Sequence, residues 1–595
     1  KRNFLGNFYA NFRIAEGLEY RFDFGGSTNI DNFEGFQPTY VWGAAVRETN
    51  QLTKRANNWY GINIKNVLTY KIDAGSHHFN VLAGQEANDS HWNGNSQTVS
   101  DLLSNDVHSI SLGDPDTLTA SEYKGSSALT SFFGSFNYDY ADRYGLQVTM
   151  RADGSSNFGE GEKWGYFPSV SGYWKLSNES FMQSTKEYID NIKFRAGYGE
   201  TGNQNIGGAG YMSTVRALKS ALGNYFTVNN IANPGLTWET SVQTNLGLDF
   251  TLFNSKLQAT FDLYRKESKD FLFTLPLPYY ITGTESYQGG LGAPYVNLGS
   301  LRNQGFEMTL DYNNKFGKDF SWNSKVIFAT NKNKLTGLQD NFDLVKDVML
   351  NDYTNKAVTK TVVGQPVGQF YGYQAVGIIR TNEQLANAPI PFTGNKAVKS
   401  QLGDVEYVDQ NKDGLIDDKD LTYIGNPQPK FTYGFNNTFK YKNVDLGVFL
   451  QGSYGNKVMN LTRRAGTKNQ RLYENQLAEA VDFWTPENVD AKYPRPDGGD
   501  GHPNIAISDR YVEDASYLRI QQVTLGYNMP SDVISKASIS RLRFYFGIQN
   551  LYTFTKYTGY DPEVGSYNQD ALLSGIDSGR YPTNRSFTFG MNLEF

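Results

Sequence analysis

A period of two in the side chains constrains this chain more than any other feature. In SFTFGMNLEF, residues 586–595, Phe587, Phe589, Met591, Leu593 and Phe595 fall on one face, and Ser586, Thr588, Gly590, Asn592 and Glu594 on the other. A strand sends successive side chains to opposite faces, so this segment has one apolar wall and one polar wall. At ~3.3 Å per residue and a tilt of ~45°, such a segment rises about 24 Å, the height of the apolar band of an outer-membrane barrel. Taken alone, it fits an amphipathic strand of a soluble sandwich equally well.

The same period recurs along the chain. Leu542, Phe544, Phe546 and Ile548 alternate with Arg541, Arg543, Tyr545 and Gln549. Leu246, Leu248, Phe250 and Leu252 are answered, after a turn near Asn254-Ser255, by Leu257, Ala259, Phe261 and Leu263. Phe306, Met308, Leu310 and Tyr312 form a further series, as do Phe431, Tyr433, Phe435 and Phe439. The pattern predicts about seventeen strands, with a bulge at Gln521-Gln522 where Leu518–Tyr527 breaks phase.

Connection lengths separate sandwich from barrel. Tight turns are expected at Glu16-Gly17, Ala74-Gly75-Ser76, Ala141-Asp142, Asn254-Ser255, Phe316-Gly317-Lys318 and Lys442-Asn443. Between them lie long connections at about 26–58, 87–128, 201–236, 269–299, 331–422, 461–510 and 555–583. Short and long alternate, the rhythm of an up-and-down barrel with short periplasmic turns and long extracellular loops; Greek-key sandwich connections do not give it. The expected fold is therefore all-β, a transmembrane antiparallel β-barrel in the outer membrane. Its last strand runs down to the periplasmic rim at Phe595.

Composition agrees. Hydrophobic residues make up 39% and no run of eighteen apolar residues occurs, which excludes a helical membrane protein but not a barrel. Aromatics reach 15%, with 40 Tyr and 39 Phe, as interfacial girdles require. The net charge of −6 comes without a basic footprint, so no nucleic-acid partner is expected. The absence of cysteine removes disulfides, thiolate metal sites and a cysteine nucleophile. Lys1 opens directly on a strand pattern with no leader, and an odd strand count does not close a bacterial barrel. Both point to a cut inside a longer protein.

The strongest local chemistry is DQNKDGLIDDKD at 409–420. It resembles the twelve-residue calcium loop of EF-hands and dockerins, with Asp409, Asn411 and Asp413 at positions 1, 3 and 5, Gly414 at the sharp turn, the Leu415 carbonyl at 7, Asp417 at 9 and Asp420 at 12. EF-hands place a bidentate Glu where Asp420 stands. A structural Ca2+ stiffening the 331–422 loop is expected, against an Asx-rich turn without metal. His77, His78, His91, His108 and His502 form no ligand pattern, and no nucleophile elbow, Walker loop or dinucleotide fingerprint occurs. No catalytic residues, and no enzyme, are expected. Trp92, Tyr371, Tyr373 and Trp484, with Tyr279, Tyr280, Tyr287, Phe483 and Tyr493, fall in the expected outer loops. There they can stack on sugar rings or apolar peptide side chains, or fold the loops together.

Several stretches resemble one family. They include RNFLGNFYANFRIAEGL (2–18), GYGETGNQNIG (197–207), GLTWETSVQTNLGLDF (235–250), NLGSLRNQGFEMTL (297–310) and GQPVGQFYGYQAVGI (364–378). GDVEYVDQNKDGLIDDKDLTYIGNPQPKFTYGF (403–435), FWTPEN with AKYPRP (483–496), DASYLRIQQVTLGYNMP (514–530) and NLYTFTKYTGYDPEV (550–564) continue it. On these motifs the chain resembles the SusC/RagA-type TonB-dependent outer-membrane transporters of Bacteroidota. The resemblance implies a barrel of about 22 strands, of which this chain would be the C-terminal part. It also implies a plug and TonB box outside this chain, a SusD-like surface lipoprotein as lid, a dimer of transporter–lipoprotein pairs, and energy from the TonB complex. Oligosaccharides or peptides would be the substrates. A passive porin-like barrel, or an adhesin or secretion-associated barrel, is the alternative. In such barrels a terminal residue like Phe595 resembles the signal read by the assembly machinery.

Overall fold

The computed structural model describes residues 1–595 apart from 44, 207–209, 221–222, 275–278, 284–289, 339–342, 351–353, 394–395, 469–474, 497–501 and 536–537. Its main element is one sheet of seventeen strands, the number read from the side-chain period. These are β1 (Arg2–Ala15), β2 (Leu18–Gln37), β3 (Gln51–Ala74), β4 (His77–Ser100), β5 (Thr119–Tyr140), β6 (Tyr144–Ser155), β7 (Trp164–Lys175), β8 (Ile189–Asn203) and β9 (Glu239–Leu252). The rest are β10 (Leu257–Lys269), β11 (Ser300–Phe316), β12 (Phe320–Gly337), β13 (Phe431–Tyr441), β14 (Val444–Tyr454), β15 (Tyr517–Asn528), β16 (Arg541–Thr555) and β17 (Ser586–Glu594). Among the described residues no helix is long and apolar enough to cross a membrane.

The chain divides into two compact units. One comprises Lys1–Lys175, Arg195–Thr244 and Ser268–Leu298; the other Leu176–Phe194, Asn245–Glu267 and Gly299–Phe595. In the first, β1 to β7 pair antiparallel in chain order. Their register sorts side chains by polarity. Tyr70, Val81, Phe136, Val148 and Val170 stand opposite one another in one row, and all are exposed. On the other face, Asp23, Lys65, Glu86, Ser131 and Asp153 form a row of their own. An exposed apolar row backed by a charged one suits lipid on one side and water on the other. Beside the short turns His77, Tyr138, Tyr140 and Tyr144 cluster on the apolar face, their rings 4.8–6.3 Å apart, as an interfacial girdle requires.

The second unit follows the same rule. Leu542, Phe544, Phe546 and Ile548 of β16 face Leu593, Met591, Phe589 and Phe587 of β17. The register of β15 shifts between Ile520 and Gln522 against both neighbours, which places the bulge at Gln521. The tight turns lie where the sequence puts them. Ala141 and Asp142 both have positive φ (53° and 51°), the backbone that matches the twist of a short hairpin.

The strands outrun expectation on the long-connection side. Residues 26–37, 51–58, 87–100 and 119–128 are strand, and β12 continues to Gly337, so 331–337 is strand as well. There Leu52 and Val99 pack with Leu102 and Phe36 in a small core, and the period-two contrast that marks a strand is lost while backbone pairing goes on. Side chains pair there too: Thr53 Oγ1 lies 2.9 Å from Thr98 Oγ1, and Asn58 Nδ2 donates to Asn93 Oδ1 at 3.2 Å.

The faces can be told apart by a charge. Phe136→Arg, on the apolar row, should cost about 2–4 kcal/mol of folding free energy in lipid, whereas Asn137→Arg on the polar face should cost under about 1 kcal/mol. Urea titration of the full-length protein in vesicles reads both.

Candidate functional site

In the second unit the long connections fold on one another. Leu344–Met349, Asn355–Thr361, Gln369–Gly372 and Thr422–Gly425 make a four-stranded sheet; Lys457–Asn460, Val512–Asp514 and Ile576–Asp577 make a three-stranded one. Val348, Val358, Phe370, Met459, Ile507 and Ile576, drawn from three different connections, share one core. Such a body must also satisfy the polar groups that it buries. Asp404 is fully buried. It accepts from Asn504 Nδ2 at 2.9 Å and the Gln401 backbone N–H at 2.7 Å, with Arg495 Nε at 2.7 Å and His502 Nε2 at 3.7 Å. A carboxylate enclosed this way holds together segments about one hundred residues apart. Nearby, burial works to raise the Glu479 carboxyl, but hydrogen bonds from Lys492 and Tyr493 and the Arg463 charge hold it down at about 2.

The calcium-like loop lies at the end of a strand, Val405–Tyr407, that pairs with Ala375–Ile378. Its turn is as sharp as the motif requires, with φ of +61° at Lys412 and +83° at Gly414. Asp409 accepts from the backbone N–H groups of Lys412 (2.6 Å) and Gly414 (2.7 Å), and Asp413 from that of Leu415 (3.0 Å). The Leu415 N–H bond, then the Asn411 side chain, hold the Asp413 carboxyl below the usual range. Asp420 is fully buried and accepts from the backbone of Gln410 and Asp417. Lys419 Nζ stands 3.8 Å from Asp413 and 3.6 Å from Asp417. Among the described residues no three carboxylate, imidazole or thiol groups meet as a metal cage. The donor order of a calcium loop is present; its oxygens are engaged with backbone N–H groups and an ammonium.

The aromatic candidates separate. Trp484 is 9% exposed, and its ring packs where a Cβ on Gly403 would collide with it. Tyr493 is 5% exposed and accepts from Arg463 Nη2 at 3.0 Å. Both lie in the interior of the loop body. Tyr373 packs 5.3 Å from buried Tyr407. Its phenol is pushed up by burial and then by Asp418, Asp420 and Asp417, so it borders the calcium-like loop. Tyr371 faces Tyr423 across two strands and has Lys360 Nζ 5.0 Å over its ring. Trp92 belongs to the first unit and is in β4, not in a loop; it stands opposite Trp59 of β3. Tyr280 is 87% exposed, Tyr287 lies outside the described residues, and Phe595 is 87% exposed beyond β17.

Sequence reasoning missed the charged row of the first unit. Arg151 Nε binds Asp153 at 2.8 Å, and its Nη2 donates to Ser131 Oγ at 2.8 Å and lies 3.8 Å from Glu86. Asn63 Nδ2 donates to Glu86 Oε1 at 2.8 Å. These residues lie on four strands, and only the register brings them together. A cavity of about 1040 Å³ opens along this face, lined by Arg21, Trp59, Asn63, Lys65, Glu86 and Asn88 among others.

The family model of the TonB dependent receptor-like β-barrel matches residues 2–551. TonB-dependent receptor P3 of Formosa agariphila is 33% identical over 100% of this chain and 58% of its own length. TonB-dependent receptor SusC of Bacteroides thetaiotaomicron is 28% identical over 96% of this chain and 56% of its own. The chain thus spans less than two thirds of the curated relatives that it matches. The solved RagAB peptide transporter superposes with a TM-score of 0.81 at 22% identity, covering all of this chain and 62% of that one.

The Glu479 contacts set a pH dependence. Because the folded carboxyl titrates near 2, below its ordinary value, its contribution is complete above the unfolded value of ~4.3 and is lost as pH falls toward the folded one. Glu479→Gln should lower the melting temperature of the loop body at pH 7, and the difference should vanish as pH falls from about 4.5 to 2. Near-UV circular dichroism melts follow it.

Proposed function

The chain belongs to the TonB dependent receptor-like β-barrel family of the outer membrane, and we propose that it serves active import of oligosaccharides or peptides. A SusD-like lipoprotein caps it at the surface, transporter–lipoprotein pairs associate as a dimer, and the TonB complex supplies the energy. The observation that carries this reading is the sheet itself: one face of exposed apolar rows, the other charged and lining a large cavity. A barrel turns its polar face to the channel. The likeness to SusC of Bacteroides thetaiotaomicron supports the lipoprotein partner. The folded body of long connections supports a role in handling ligands at the surface. In cells carrying the intact gene, deleting it should stop uptake of the substrate, and collapsing the proton gradient should stop it equally. Uptake that survives collapse assigns a passive porin instead.

Calcium at 409–420 is part of the same reading. The donors at positions 1, 3 and 5, the φ of +83° at Gly414 and the excess of carboxylates over Lys412 and Lys419 support it. Asp409, Asn411, Asp413, the Leu415 carbonyl, Asp417 and Asp420 would hold the ion, and a hard cation there would stiffen the connection. Calcium should protect the loop from proteolysis, chelation should remove that protection, and Asp413→Asn should abolish the difference. Equal cleavage with and without calcium makes the loop an Asx-rich turn closed by Lys419.

A further inference from the structure

On the import reading above, we propose that Trp59, Trp92 and Tyr123 form a stacking platform for pyranose rings on the polar wall of β3–β5, and that the transported class is saccharide. The register sets these side chains together. Trp59 stands opposite Trp92, which stands opposite Gly125; one step away Asn57 faces Gly94, which faces Tyr123. All point to the same face as Asn63, Lys65 and Glu86, since they differ from these by even steps along their strands.

Each ring has a glycine for a seat. A Cβ on Gly61 would stand 2.7 Å from the Trp59 ring, one on Gly125 2.6 Å from that of Trp92, and one on Gly94 2.7 Å from that of Tyr123. Each ring therefore lies against bare backbone on the face that carries the polar row. The Tyr123 hydroxyl donates to Asn57 Oδ1 at 2.9 Å, which fixes that ring in its plane. Trp59 is 36% and Tyr123 52% exposed.

The same wall shows what a covered ring looks like. Phe133 lies over Gly84 with Lys65 and Arg151 above it at 5.6 and 5.4 Å, and Phe33 lies over Gly35 with Arg55 at 4.4 Å. Among the described residues no cation and no ring stacks on Trp59, Trp92 or Tyr123. Three neighbouring strands at ~4.8 Å spacing make a platform roughly 10 Å wide, enough for two or three sugar units. A pyranose offers such a surface its C–H face, which carries the positive partial charge that the ring face attracts. Its edge hydroxyls need planar acceptors and donors. Trp59 lines the cavity that Asn63, Glu86, Asn88 and Ser90 also line. A peptide has no repeated flat C–H face of this kind.

The test uses the full-length protein and four probes: maltohexaose, cellohexaose, xylohexaose and hexaalanine. Titration calorimetry should show binding of at least one hexasaccharide with a shift in tryptophan emission. Trp59→Ala and Trp92→Ala should each weaken it roughly tenfold, and Trp59→Phe only a few-fold. Gly61→Ala, which lifts the ring without removing it, should weaken binding as Trp59→Ala does. Heat-modifiability on gels verifies that each variant is a folded barrel. A hexasaccharide bound equally by wild type and the Trp variants overturns the platform and leaves import intact. Binding of hexaalanine alone, or of no probe, overturns the saccharide assignment. Gradient-independent uptake would overturn import while leaving a Trp-dependent binding site standing.

Discussion

Inside hydrocarbon no water reaches the backbone, so every N–H and C=O there must find a partner within the protein. Antiparallel pairing of consecutive strands meets that demand and fixes nearly everything else about this chain. Pairing sets the register, and register decides which side chains share a row. The Tyr70–Val81–Phe136–Val148–Val170 row and the Asp23–Lys65–Glu86–Ser131–Asp153 row follow from the same ladders. A slip of one residue in any ladder would send charge into lipid.

Two further layers rest on those ladders. Glycines on the polar wall remove the Cβ that would collide with a neighbouring ring, so bulky aromatics pack against bare backbone. On the long-connection side the strands continue as hairpins, and in each unit the connections bury cores of their own. The loop body of the second unit needs polar closure as well, supplied by the carboxylate of Asp404 with Arg495 and Asn504. The aromatic residues of the loop body are divided accordingly. Trp484 and Tyr493 hold it together, while Tyr371 and Tyr373 stay half exposed.

The membrane-height part of the fold was legible in the sequence because lipid on one side and water on the other write a period of two into it. Strand number, tight turns and the Gln521 bulge came through for that reason. The strand segments at 51–58 and 87–100 did not, since their few apolar side chains, Leu52 and Val99 in a small core and Trp92 on the polar wall, leave no period-two contrast to read. Trp92 reads as a loop residue on that account. The calcium-like motif was visible as a string of donors, but the engagement of Asp409 and Asp420 with backbone N–H groups depends on the folded turn. Asp404 and the Lys65–Glu86–Arg151 group were invisible because their partners are brought together by long-range pairing, for which a single sequence carries no local mark.

The three-stranded sheet of the loop body has a consequence for the order of events in assembly. Its central strand, Lys457–Asn460, takes one neighbour from Val512–Asp514 and the other, in parallel, from Ile576–Asp577, in the connection leading to β17. Leu573 and Ile576 from that connection also fill the shared core. The loop body therefore cannot reach its final packing until the connection leading to β17 has joined it. Contacts of such long sequence separation form late. A fully packed loop body is thus a record that its three connections, including the one leading to β17, have been brought together.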